Sequence, residues 1–564
     1  MMIKRYLTLI VALLSFAAWG RQLTPQEALQ RLNGASARGM AGSSAALPRY
    51  TLAYVGERDG DNLLYVMNID SDAGFCILSA DDCAPALLGY SANGSFSYSQ
   101  APEPLKWWLS QYQSDIHKAI RLGVSISRAS AIEHAPVAPL ITSLWGQTAP
   151  YNSDCPAFGT RKAPTGCVAT AMAQIMNYHQ WPVTGTNTKT YTDSGSGQTI
   201  TANFSEHTYG WNYMQDEYTE ESAGQAADAV ALLMKDCGVS VEMKYGAASS
   251  GASGILVPFA MISYFSYSKA MKNNPRVFFT DEQWERLILD ELDAGRPVFY
   301  TGHTVKDEGH AFICDGYDKD GYYHFNWGWS GTGDGYYLLT GQDALRPKEQ
   351  GTGGSSLSLG FTEGQCIVSD MRKTQTGDPG KTSILLGLSD GYKVEVEGTS
   401  LKVDVPFMNY GTRATPNTAA SKLGVGFSLV ADGRVVQTVS AGAIGQSVGI
   451  GYGFSKLAFS YDPPATLSGK YEVHPVYSTT YSSGTFSAWQ EFLLPADYEY
   501  AVVGFDSGVP TVVTPGGRTA IVDLVPAAAA KAGDDRLYDL NGRVVTMPCS
   551  PGIYIRNGRK IIRQ

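Results

Sequence analysis

The sequence predicts an α+β chain of several domains, with helices leading strands in its central part and strands alone towards its C-terminus. Three observations point there. A chain of 564 residues exceeds what one core can serve, so it should divide into roughly three or four domains. Its 33 Tyr and 61 Gly, set against few Lys and Glu, favour β-rich structure with many tight turns. Residues 140–373 carry helical spacing first and Gly- and aromatic-rich strand sequence second. Residues 381–498 instead alternate apolar and polar positions between turn signals about ten residues apart. A net charge of -10 offers no basic field from which counterions could be released, so nucleic acid is not expected as a main partner.

The elements follow in chain order. Lys4 and Arg5, the apolar run Tyr6–Leu14 and small residues at Ala18 and Gly20 fit a signal peptide over 1–20, cleaved before Arg21. That run falls short of the roughly 20 residues a spanning helix needs. Export is therefore expected. Leu23–Leu32 reads as a helix with Thr24 as N-cap, Pro25 at its first position and Glu27 closing a capping box. Strands and hairpins are expected between Tyr50 and Tyr98 and a helix over Pro104–Leu122, giving a small α+β unit over 21–135. The Ser/Ala/Pro-rich stretch Ser125–Pro139 reads as an exposed linker and cleavage zone. The next block, 136–373, carries expected helices at Gly166–His179, Ser222–Cys237 and Asp281–Ala294, then strands between Val298 and Val368. The Gly-rich segment 351–356 reads as a flexible loop. An immunoglobulin-like β-sandwich is expected over 374–500, a strand and linker region over 501–535, and a short β tail over 536–564.

Chemistry concentrates in the central block. Pro164 and Gly166 break the chain just before the helical run Cys167–His179, which sets Cys167 at a helix N-terminus. Free N–H groups and the macrodipole there favour a thiolate and lower its pKa. Taken alone, the segment fits a buried structural thiol equally well. His310 opens an apolar strand 143 residues later, a separation suited to a Cys–His pair in which the imidazole takes the thiol proton. Asn326 follows one hairpin further on, where its amide oxygen is expected to accept from that imidazole while Trp327 excludes water. Gln147, between Trp145 and the nucleophile, offers a side-chain amide to an oxyanion. The eight cysteines contain no CxxC and the histidines no HExxH, so neither a metal nor a cofactor is expected. Asp315, Asp318 and Asp320 read as a hairpin turn, their spacing differing from a calcium loop.

These residues carry a resemblance. Gly166-Cys167-Val168-Ala169-Thr170-Ala171 with Gln174-Ile175-Met176 and Tyr178-His179, and Gly309-His310-Ala311-Phe312 with Asn326-Trp327-Gly328-Trp329, closely resemble the streptopain family of papain-like cysteine proteases. The likeness is strongest to the family's interpain type from Bacteroidetes and spans 22–373. It implies a papain-like catalytic domain of two subdomains, Cys167 and His310 as the catalytic pair, Gln147 as oxyanion donor, and Asn326 with Trp327 as supports. It also implies that 21–135 is an inhibitory propeptide, an intramolecular partner removed by proteolysis. The substrates implied are proteins or peptides, cut with an apolar residue preferred two positions before the scissile bond. The Cys-Gly-Ser-Cys-Trp motif of papain itself is absent. The tail, Leu537–Arg543 and Pro551–Lys560, is similar to type IX sorting domains. That likeness implies a type IX-like secretion machinery as partner and release or attachment at the cell surface. Two other readings stay open: a catalytically inactive binding or inhibitor protein on the same fold, and an acyl transferase.

Overall fold

The computed structural model describes residues 20–34, 48–126, 135–303, 309–340 and 364–518 (389 and 420 apart), with backbone strands of the tail between 537 and 563. Several expectations fall outside the described residues: most of the signal segment, linker residues 127–134, the Gly-rich loop 351–356, the Ala run near 526–535 and the tail's Asn-Gly turns.

The first unit opens on helix α1 (Pro25–Gly34). Its start is set by the expected box, with the Glu27 N–H donating to Thr24 Oγ1 at 3.3 Å and the Thr24 N–H donating to Glu27 Oε2 at 2.8 Å. An antiparallel meander follows: β1 (Tyr50–Arg58), β2 (Asp61–Ile69), β3 (Phe75–Ser79) and β4 (Leu87–Ser91). Helix α2 (Glu103–Leu122) then buries Leu105, Trp107, Trp108, Leu109 and Tyr112, and ends on Gly123 in the left-handed region.

The central block contributes α3 (Cys167–His179), α4 (Gln225–Ser240), α5 (Val257–Phe265) and α6 (Asp281–Asp293). Its strands in the main sheet are β5 (Lys272–Pro275), β6 (Val298–His303), β7 (Gly309–Tyr317), β8 (Tyr323–Asn326), β9 (Gly335–Tyr337) and β10 (Cys366–Ser369). The sequence reading omits α5. That segment is apolar on almost every side and buries Val257, Ala260, Met261, Tyr264 and Phe265, so it has no polar face to betray a helical period.

The strands of both units form one ten-stranded sheet, in the order β1-β2-β3-β4-β9-β8-β7-β6-β10-β5. The join is a short antiparallel seam in which Tyr90 pairs with Tyr336 and Gly89 with Tyr337. The two faces of β7 then serve different cores. Ala311 and Ile313 face α3 and α4 in a core rich in Ala and Met. Phe312 and Cys314 face α2 and α6 in a core rich in aromatics, to which the first unit adds Trp107, Trp108 and Tyr112.

Downstream, strands between Leu386 and Thr514 enclose a further core of Leu401, Val403, Phe427, Leu429, Val473 and Val503. Ala501–Asp506 and Val509–Thr514, in the region expected to carry a strand and linker, join its largest sheet. Ala501, Val503 and Phe505 continue the alternation of buried positions, and this draws them into the sheet. The region meets the central block through a small patch of Phe278, Met408 and Tyr410. In the tail, Leu537–Tyr538, Val544–Val545, Gly552–Arg556 and Arg559–Arg563 pair into a four-stranded antiparallel sheet.

Candidate active site

Cys167 is the first residue of α3, preceded by Gly166 at φ 86°. This conformation favours glycine, and a Cβ there would lie 2.8 Å from the Met243 thioether. Glycine thus allows the chain to turn sharply into the helix. The Cys167 Sγ is half-buried and accepts the N–H of Ala311 at 3.4 Å, which brings the nucleophile's helix to the residue next to His310. Burial raises the pKa of the Cys167 thiol, opposed by the backbone N–H groups of Ala311, Val168 and Cys167. This differs from the lowered pKa expected at a helix N-terminus. Desolvation of the thiolate outweighs the three backbone N–H groups that favour it.

His310 opens β7 directly across from Gly302 on β6. Strand alternation assigns His310 to the face of Phe312, the face covered by α2. The indole of Trp107 presses on that spot so closely that a Cβ on Gly302 would lie 2.0 Å from it.

Gln147 is fixed through its backbone, its carbonyl accepting the Thr165 N–H at 3.0 Å two residues before Cys167. Its side-chain Nε2 is buried and has no hydrogen-bond partner. An unspent buried donor of this kind costs stability.

Asn326 and Trp327 sit differently from expectation. Asn326 is buried on the α3 face, paired across the sheet with Ile313. Its Oδ1 accepts from Gln174 Nε2 at 2.9 Å and from the Gly328 N–H at 3.0 Å, and its Nδ2 donates to the Ser143 carbonyl at 3.0 Å. The amide is spent on these groups and not on the imidazole. Trp327 lies on the opposite face, its Nε1 donating to the Gly333 carbonyl at 2.9 Å and its ring 4.8 Å from that of Phe312. It therefore packs beside the strand that carries His310 and does not cover an Asn326–His310 bond.

Two buried polar residues of α3 went unread in the sequence. Thr170 Oγ1 lies 2.9 Å from Thr165 Oγ1 and bonds the Gly166 carbonyl at 3.2 Å, tying down the turn before Cys167. Gln174 holds Ser143, Trp145 and Asn326. The signal available was a Thr and a Gln recurring at helical spacing from Cys167 in an otherwise apolar run. The aspartate cluster forms the β7–β8 hairpin, with Asp318 Oδ1 accepting the N–H groups of Asp320 and Tyr322. Asp315 is buried and holds the entering chain through the Ile141 N–H at 2.9 Å and His324 Nδ1 at 2.6 Å. All seven described cysteines are free thiols.

A cysteine-headed helix packed on an antiparallel sheet, with a histidine-bearing strand beside the sulfur, is the arrangement of papain-like cysteine peptidases. Comparison with known proteins gives the same class. Residues 145–337 match the Peptidase C10 family and residues 21–116 match the Spi protease inhibitor family. Streptopain of Streptococcus pyogenes is 36% identical over 320 residues, covering 53% of this chain and 79% of that protein. The thiol protease/hemagglutinin PrtT of Porphyromonas gingivalis is 31% identical over 398 residues, covering 66% of this chain and 44% of that protein. A solved structure of a Prevotella intermedia prointerpain A fragment, a cysteine-to-alanine mutant, is 33% identical with a TM-score of 0.50, covering 58% of this chain and all of that one. The chain belongs to the streptopain (C10) family of cysteine peptidases and carries an Spi-type inhibitory propeptide.

Proposed function

We propose that the protein is a secreted cysteine endopeptidase, made as a zymogen, that hydrolyses protein substrates through an acyl-enzyme on Cys167. The observation that carries this reading is a juxtaposition along the backbone: Cys167 Sγ bonds the Ala311 N–H one residue along β7 from His310, and the segment bearing the unpartnered Gln147 Nε2 is tethered at Thr165. With burial favouring the protonated thiol, activation rests on His310 taking the proton and not on the helix terminus alone. The thiolate attacks the scissile carbonyl, and the oxyanion receives the Cys167 N–H and the Gln147 amide. His310 then protonates the leaving amine, and water deacylates the enzyme.

Latency is assigned to α2. Trp107 fills the space above Gly302, directly across from His310, so withdrawal of α2 frees the imidazole to reach Cys167. The organisation that goes with this reading is a signal peptide over 1–20, a propeptide over 21–135, the peptidase over 136–373, a β-sandwich beyond it, and a C-terminal sorting segment over 536–564 that directs export to the surface or medium. The test is mass spectrometry of signal-free protein incubated with a thiol reductant, wild type beside Cys167→Ala. Wild type should be trimmed between residues 125 and 139 and then cleave casein, and Cys167→Ala should stay whole and inactive. Full hydrolysis by Cys167→Ala would remove the nucleophile assignment.

A further inference from the structure

We propose that Gln174 is a positioning residue for the peptidase reaction. From inside the helix that carries Cys167, it fixes the oxyanion-donor segment and the Asn326 loop relative to the nucleophile. The proposal rests on the roles given above to Cys167, His310 and Gln147. Gln174 lies seven residues after Cys167 on α3, two turns along and on the same face. It is fully buried in a helix whose neighbouring positions are Ala, Met and Ile.

The orientation of its amide is set by two main-chain donors. The Trp145 N–H, which can only donate, bonds Gln174 Oε1 at 3.2 Å, so that atom must be the oxygen. The Gly328 N–H bonds Asn326 Oδ1 at 3.0 Å, so Gln174 must present its nitrogen there, at 2.9 Å. Ser143 closes the ring, its hydroxyl on Gln174 Oε1 at 3.1 Å and its carbonyl on Asn326 Nδ2 at 3.0 Å. With both main-chain donors fixed, the ring ties the segment 143–145 and the Asn326 turn to α3. Gln147 follows two residues after Trp145, and the Thr165 N–H holds its carbonyl. The segment bearing the oxyanion donor is thus clamped on both sides, by Gln174 below and by the turn before Cys167 above. Asn326 is thereby part of the frame that holds the site, which accounts for an amide directed away from the imidazole.

The test uses enzyme made as the full chain and matured in trans by wild-type enzyme that is then removed, with Gln174→Glu, Gln174→Met and Cys167→Ala assayed beside wild type across pH. An ionised Glu would set an acceptor against Asn326 Oδ1, which is already an acceptor. A protonated Glu donates there and restores the ring. Burial raises the pKa of such a carboxyl, so the ratio of mutant to wild-type kcat should be near unity at acid pH. It should then fall about ten-fold or more as pH rises through that pKa, with KM changed much less. Gln174→Met, uncharged and of similar size, should lose kcat equally at every pH. The proposal is overturned if Gln174→Glu follows the wild-type profile, if Gln174→Met keeps wild-type kcat, or if both variants lose the same fraction at all pH in step with a lowered Tm. Hydrolysis retained by Cys167→Ala would instead overturn the reading on which the proposal stands.

Discussion

The peptidase block is attached to its two neighbours in opposite ways. The propeptide, which maturation removes, is built into the enzyme: its strands extend the same sheet, and Trp108 lies fully buried among Tyr300, Phe312, Phe325 and Trp327. The downstream β-region meets the block through Phe278, Met408 and Tyr410 and a few polar ties such as Asn273 Nδ2 to the Tyr410 carbonyl at 3.2 Å. An inhibitor must bind strongly enough to keep the enzyme silent, so it borrows the enzyme's own core. A region that remains on the chain needs only a docking patch. Depth of attachment here tracks the need to inhibit and not permanence.

The largest expected effect comes from the deeper attachment. Trp108→Ala removes a buried indole that packs edge-on against three catalytic-block rings and donates to the Leu338 carbonyl at 3.3 Å. Truncations of this kind cost about 3–5 kcal/mol. Urea unfolding of the Cys167→Ala zymogen should show that loss, and an otherwise wild-type zymogen should process itself faster. Mature enzyme, from which Trp108 has been cut away, should be indistinguishable from wild type. An unchanged zymogen would mean that the aromatic nest does not bind the propeptide.

The shallower attachment should give less. Met408→Ala opens the patch beside Phe278 and Tyr410 at a cost of about 2 kcal/mol, the low end for a methionine, because the buried cluster it belongs to is small. Limited proteolysis should release the downstream region sooner. Peptide hydrolysis by the mature enzyme should be unchanged, since the patch touches neither Cys167 nor Gln147. A fall in kcat would show that the β-region supports the site, and the contrast between the two attachments would narrow.

What the sequence could say of these attachments was uneven, for physical reasons. The Thr24–Glu27 box and the break at Gly166 are local, so both helix starts were legible. Alternation in Leu87–Ser91 announces a strand but not its partner, and pairing with Gly335–Tyr337 lies some 250 residues away in the chain. The propeptide therefore read as a unit of its own when it supplies four of the ten strands of a shared sheet. At the site, spacing placed Asn326 one hairpin from His310, but which hydrogen bonds its amide makes depends on Gln174, a residue on another element. Helical periodicity could have marked Gln174 as an odd polar residue. Nothing in the sequence tells which loops it holds.

A third effect is set at the seam itself and should separate zymogen from mature enzyme by pH. Asp334 precedes β9, and its carbonyl accepts from the propeptide's Ser91 Oγ at 2.7 Å. One carboxylate oxygen takes the Trp327 N–H at 2.8 Å, while the other is buried without a partner. Desolvation pushes its pKa up to about 7 from 3.8, with Asp315 adding to the rise and the Trp327 N–H and His324 opposing it. Between those two values the folded chain keeps a proton that the unfolded chain has lost, so this group's contribution to stability declines as pH rises from about 4 to about 7. Asp334→Asn keeps an acceptor for Trp327 and removes the titration. In a Cys167→Ala background it should flatten the stability slope by up to about 1.4 kcal/mol per pH unit. In mature enzyme, where β4 has gone and water reaches the end of β9, the same substitution should change the slope less. Equal changes in both forms would place the buried carboxyl in the catalytic block alone and leave the seam without a part in its titration.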